Sequence, residues 1–173
     1  MGDLFIRNFC KKCPFHNQKN LNLGESQIKT PVLMERGKNE SKSLIVFKYP
    51  GIHESVNGKI MVNIFKRGGN IADRIFNSWK RVDKSKEDYD ITFFIKCYKG
   101  ENVKNVPKKV VEFCSKIFRK ELLLKEYDKI FIFGKEFYID IIKIIEEENL
   151  NHLNIVYKDN ILAIQKEELD GIW

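Results

Sequence analysis

Cys10, Cys13, Cys97 and Cys114 are the four cysteines of the chain, and together they are enough donors for one sulfur-ligated site. Cys10-Lys-Lys-Cys13 is a tight C-x2-C turn, whereas Cys97 and Cys114 are separated by a loop and a helical turn. Four thiolates can hold zinc or an iron–sulfur cluster. Zinc ribbons and knuckles bring both ligand pairs as tight turns, so one tight and one wide pair favours a 4Fe–4S cluster held by dispersed segments, with zinc as the alternative. The competing uses of the same residues are small buried thiols or two disulfides. Disulfides suit secreted domains, and residues 1–7 carry no sustained apolar run of a secretory leader. No apolar stretch approaches the ~20 residues that a bilayer span requires. A reducing cytoplasm and no membrane partner are therefore expected.

The elements that must position these sulfurs come from a chain of 173 residues that is 43% hydrophobic and 12% aromatic. That supports one core and a single domain over 1–173. Its net charge of +7 suits a polyanion such as DNA or RNA, although lysine also serves solubility. Residues 17–43 are polar, too long for an ordinary connection, and are expected to wrap the surface. Residues 43–49 read as a buried strand stopped by Pro50-Gly51. A loop follows to Gly68-Gly69, then Ile71, Ile75, Phe76 and Trp79 recur at helical spacing. Residues 90–97 form a second strand, with Cys97 at its carboxyl end. Pro107 opens a helix to about Tyr127 that carries Cys114 roughly two turns in.

Residues 128–133 make a third strand, Gly134 a turn, and 135–148 a third helix. Residues 154–157, with 161–164 as a further candidate, close the series before a short tail. Strands and helices alternate, which predicts an α/β fold: a mostly parallel sheet of about four strands with helices on both faces. Ligands of such sheets bind at the strands' carboxyl ends. Here those ends are Tyr49-Pro50-Gly51, Lys96-Cys97, Gly134 and Lys158-Asp159-Asn160.

In that order the strand ends resemble the iron–sulfur uracil-DNA glycosylases. Cys10-Lys-Lys-Cys13 resembles the family's opening C-x2-C. Phe47-Lys-Tyr-Pro-Gly-Ile-His-Glu-Ser-Val-Asn-Gly58 resembles its G-E-A-P-G-x-x-E-D-x-x-G motif, and Ile91-Thr-Phe-Phe-Ile-Lys-Cys97 resembles I-T-N-x-V-K-C. Cys114 matches the helix-borne fourth ligand, and Lys129-Ile-Phe-Ile-Phe-Gly134 resembles the strand that ends in A-L-G. The resemblance implies a three-layer sandwich, a 4Fe–4S cluster on Cys10, Cys13, Cys97 and Cys114, a DNA partner and a role in DNA repair.

The departures fall on the residues that do the family's chemistry. Lys48 stands at the acid of G-E-A-P-G, Met61 at the aromatic that stacks extruded uracil, Phe93 at the asparagine that reads the uracil edge, and Lys158 at the histidine of the closing motif. Uracil excision needs an amide on the base edge, a carboxylate or positioned water, and a donor for the departing anion. An apolar Phe93 leaves a buried uracil edge unsatisfied, at ~1–3 kcal/mol per polar group. Three functions are then compatible with the sequence. The first is a DNA-binding relative without ordinary uracil excision, in which Lys48, Lys96 and Lys158 face phosphates, Lys11, Lys12 and Arg119 flank the cluster, and Tyr49, Pro50, Gly51 and Asn160 complete the cleft. The second is a glycosylase for a modified base, with Lys48 or Lys158 attacking the sugar and Met61 and Phe93 lining a less polar pocket; His53 and Glu54 are the remaining acid–base pair in reach. The third is a non-catalytic, metal-stabilised protein-interaction domain using 17–43 and the run Glu146-Glu-Glu148.

Overall fold

Leu44, Ile45 and Val46 are apolar at successive positions, so an extended chain there must be covered on both faces. In the computed structural model, which describes Cys10, Cys13, Phe15 and residues 31–38, 40–60, 85–100 and 103–158, all three are fully buried in the central strand β1 (Ser43–Phe47). β1 pairs in parallel with β2 (Asp90–Phe93) on one side and β3 (Lys129–Phe133) on the other, and β3 pairs in parallel with β4 (Asn154–Lys158). The sheet order is β2-β1-β3-β4, so the chain is an α/β protein built on a parallel four-stranded sheet.

Three α-helices lie among the described residues: α1 (Ile52–Asn57), α2 (Lys108–Leu122) and α3 (Tyr138–Glu147). α2 starts from Pro107, whose missing N–H costs nothing at a helix start. It buries Val110, Cys114, Ile117, Phe118, Glu121 and Leu122, a stripe at helical spacing. α3 buries Ile141, Ile144 and Ile145. Both crossovers, β2 to β3 and β3 to β4, move across the sheet in the same direction. The right-handed rule for parallel connections then puts both helices on one face. Leu44, Val46, Ile130 and Ile132 meet them there. The other face carries Ile45, Ile91, Phe93, Phe131 and Phe133, packed with Val32, Ile60 and Tyr89. The helix expected over 70–79 lies outside the described residues.

Several boundaries differ from the sequence expectation. β2 ends at Phe93, and Cys97 lies beyond the strand. The Phe94 and Ile95 amides still donate to Phe47 and Lys48 carbonyls at 2.8 and 2.9 Å, so the chain tracks β1 before it turns away. α2 stops at Leu122 rather than near Tyr127. Tyr127 instead turns inward, where its phenol donates to Asp90 on β2 at 2.7 Å. The polar segment is anchored where it is described. Residue 35 pairs with Ile91 on the outer edge of β2, the Val32 amide donates to the Lys96 carbonyl at 2.7 Å, and Val32 is fully buried. That contact covers an edge strand's unpaired backbone.

Candidate functional site

The strand order places the switch point between β1 and β3, whose connections leave in opposite directions, and a crevice at their carboxyl ends is the expected ligand position. Lys48 and Gly134 follow directly on those strands. Gly134 has φ 97°, a region that side chains with a Cβ avoid, and the Lys48 side chain lies across it. The Lys48 ammonium then reaches Glu136 at 4.0 Å, with both side chains partly exposed. Beyond Lys48, Tyr49 is half-buried, Pro50 is buried and Gly51 is exposed at the start of α1. The Glu54 carboxylate accepts the Gly51 N–H at 2.8 Å, a capping contact at the helix start. Gly58, at φ 64°, ends the helix.

Further groups lie at this end of the sheet. Lys99 Nζ lies 4.9 Å from the centre of the Tyr49 ring. The Tyr138 and Tyr157 rings pack at 4.5 Å, and Ile139 beside them is 79% exposed. Lys104, Lys108, Lys109 and Lys135 are exposed on the loops and helix start at this end of the sheet. Lys99, Tyr138 and Tyr157 were not singled out by sequence reasoning. The signal for them was position alone, each lying just past or near a strand's carboxyl end.

The cysteines gather under α2. All four are buried, with 4–6% of each exposed, and none takes part in a disulfide in this structure. The Cys13 amide donates to the Cys10 carbonyl at 2.9 Å, closing the C-x2-C turn. Cys13, Cys97 and Cys114 belong to one apolar cluster with Phe15, Phe94 and Phe118. Burial pushes the Cys10 thiol up to about 11, with nearby Cys13 adding to the rise and Lys96 opposing it. Burial likewise pushes Cys114 up to about 12. There the Lys96 N–H and ammonium oppose the rise, and Cys13 and Cys10 add to it. These mutual effects put Cys10, Cys13 and Cys114 in one neighbourhood, and the Lys96 N–H bond brings the residue before Cys97 to Cys114. Among the described residues, no three His, Cys, Asp or Glu side chains are arranged to hold one metal ion. The four cysteines are thus a buried donor set from three segments, not arranged as a metal site in this structure.

Lys96 is not at the surface. Its side chain has no exposure, and its ammonium donates to Glu121, to Thr92 Oγ1 at 2.7 Å and to the Phe93 carbonyl. A lysine sealed this way does not meet a phosphate, which corrects its expected role. The sequence did hold a clue to its partner. Glu121 falls on the apolar stripe of α2 with Cys114 and Phe118, and a carboxylate at a core position needs a buried donor.

Phe93 is also enclosed. It is 4% exposed and packs near Phe47, with ring centres 5.8 Å apart, so it is a core residue rather than the wall of an open pocket. Arg119 pairs with Glu147 and Glu148, tying α2 to the end of α3. That uses both the expected phosphate contact and part of the acidic run expected to meet a protein. Met61, Asn160, Lys11 and Lys12 lie outside the described residues, and the structure describes the backbone but not the side chain of Lys158 and of His53. No helix among the described residues is long and apolar enough to cross a membrane. The chain matches no family model, and it matches none of the curated proteins.

Proposed function

We propose that the chain is an iron–sulfur, uracil-DNA-glycosylase-like protein that binds DNA at the carboxyl edge of its sheet without ordinary uracil excision. The observation that supports this function is the burial of all four cysteines, outside any disulfide, in a parallel α/β chain. Cys10, Cys13, Cys97 and Cys114 would hold the 4Fe–4S cluster. When bound, the cluster ties the N-terminal turn, the segment after β2 and α2 to one another. The remaining work belongs to the chain's own groups. Lys48, Lys99 and the exposed lysines at this edge supply positive charge for phosphates, and Tyr49, Tyr138 and Tyr157 supply aromatic surface for bases. Phe93 has no hydrogen-bonding group for a uracil edge, and Lys48 is no carboxylate.

The test has two arms. Purified protein is expected to be brown, with iron and acid-labile sulfide in roughly the four-to-four ratio of such a cluster. It is expected to bind single- or double-stranded DNA with an affinity that falls steeply with salt, and to release no uracil. Stoichiometric zinc in a colourless protein would overturn the cofactor. Undetectable or salt-independent binding would overturn the partner.

A glycosylase with lyase activity on a modified base is favoured by one observation, the placement of Lys48 at the switch point. Glu136 lies 4.0 Å from that ammonium as its ion-pair partner. Borohydride trapping on abasic and modified-base DNA, with Lys48→Ala as control, separates the two functions. A trapped adduct lost in the variant establishes the enzyme.

A further inference from the structure

Three chain segments meet at one buried ion pair. The Lys96 ammonium is bound by Glu121 of α2, by Thr92 Oγ1 and by the Phe93 carbonyl. Both carboxylate oxygens of Glu121 are used. One accepts from Lys96 and from Thr92 Oγ1 at 2.8 Å, and the other accepts the Met34 N–H at 3.0 Å. The Lys96 backbone is also engaged at both ends. Its N–H donates to the Cys114 sulfur, and its carbonyl accepts the Val32 N–H. Lys96 therefore runs along α2 from Cys114, past the Phe118 ring at 6.0 Å, to Glu121. Cys97 is the next residue.

A buried ion pair of this kind is weak as a source of net stability, because desolvating two charges offsets most of their attraction. Its effect is on placement. A buried ammonium and carboxylate tolerate very few alternative positions, since any shift leaves a charge without a partner in an apolar surround.

We propose that the Lys96–Glu121 pair is the positioning device of the four-cysteine site: it fixes Cys97 against Cys114 and docks residues 31–38 over both. The identity of the bound group rests on the cluster proposed above, but the placement of the sulfurs does not.

The experiment compares wild type, Glu121→Gln and the double variant Lys96→Met/Glu121→Leu, which removes both charges together and so leaves neither uncompensated. Metal-stripped, reduced protein is alkylated under native conditions and each cysteine is followed by mass spectrometry. Iron and sulfide per folded chain and the visible spectrum are measured on the reconstituted protein. In both variants Cys97 and Cys114 are expected to react about tenfold faster or more, through easier local opening, while hydrogen exchange in β1 and β3 stays at the wild-type rate. Iron per folded chain is expected to fall in parallel, with a changed spectrum in what remains.

Wild-type alkylation rates in the double variant would overturn the proposal, as would an equal rise at all four cysteines, which marks general loosening. Failure of both variants to fold would also overturn it, because the pair would then be an element of overall stability. If wild type itself takes up no iron, the cluster fails, and the alkylation pattern alone decides whether the positioning stands.

Discussion

Lys48 lies so closely across Gly134 that a Cβ on the glycine would sit 2.0 Å from Lys48 Cε and 2.8 Å from its Cγ. The two residues follow directly on the adjacent strands β1 and β3, so this contact lies at the switch point. It also explains why the turn after β3 carries a glycine on two separate grounds, a left-handed backbone and the space a lysine stem needs.

Gly134→Ala is accordingly expected to destabilise the protein by about 1–3 kcal/mol, part from the positive φ and part from the collision. Urea denaturation measures the loss. In a Lys48→Ala background the collision disappears and only the backbone share should remain, so the two substitutions should be non-additive. Simple additivity would show that the lysine stem moves aside at no cost.

Asp90 is fully buried on β2, where it accepts from Tyr127 at 2.7 Å, from the Gly37 amide at 2.8 Å and from Lys125 at 2.8 Å. Tyr127→Phe removes one of these donors and should cost ~1–3 kcal/mol. Asp90→Asn removes the charge that Lys125 answers and should cost more, toward ~3–5 kcal/mol. The order of the two denaturation midpoints checks the assignment. A milder Asp90→Asn would mean that water reaches Lys125 freely.

The raised thiol and phenol groups set a pH dependence for the metal-free, reduced chain. Burial lifts Cys10 to about 11 and Cys114 to about 12, and burial together with the Asp90 carboxylate lifts Tyr127 as well. In each case the folded protein holds its proton more tightly than the unfolded chain. The associated stability is complete below the unfolded cysteine value of about 8.5 and is lost as pH rises toward the folded values. Each titrating group contributes a slope of at most about 1.4 kcal/mol per pH unit. Urea midpoints should therefore hold steady near neutrality and fall between pH 9 and 11 on the scale those values define. A midpoint that stays flat over that interval would place the thiols in water.

For nucleic acid, Lys48→Ala and Lys99→Ala should each weaken binding for all sequences alike and reduce the salt slope by about one unit, the signature of a lost phosphate contact. Lys104→Ala, farther along the same loop, provides a graded comparison. Changes confined to one base sequence would point to base reading instead.

Much of the sheet was legible. The β1 segment is a run of buried aliphatic residues stopped by Pro50-Gly51, β3 is stopped by Gly134, and the apolar repeat of α2 starts at a proline, so local chemistry marks their ends. β2 was harder because Phe94, Ile95 and Lys96 continue the composition of a strand after the strand pairing has ended. α1 was missed because six residues are too few to show a period, although Gly51 and Glu54 at cap spacing were there to be read.

The residue types alone determined that this chain would form a parallel α/β sheet and carry four cysteines whose chemistry suits a sulfur-ligated group. Only the tertiary structure decided which charges face water. Lys96 has the sequence context of an exposed strand-end lysine, yet it is enclosed because Glu121, one helix away, shares its face of the core. Lys48, with a similar context, stays at the surface because β3 offers it a glycine to lie across and Glu136 to meet. Burial of a charge depends on a partner arriving from a distant segment, and no local pattern encodes that arrival.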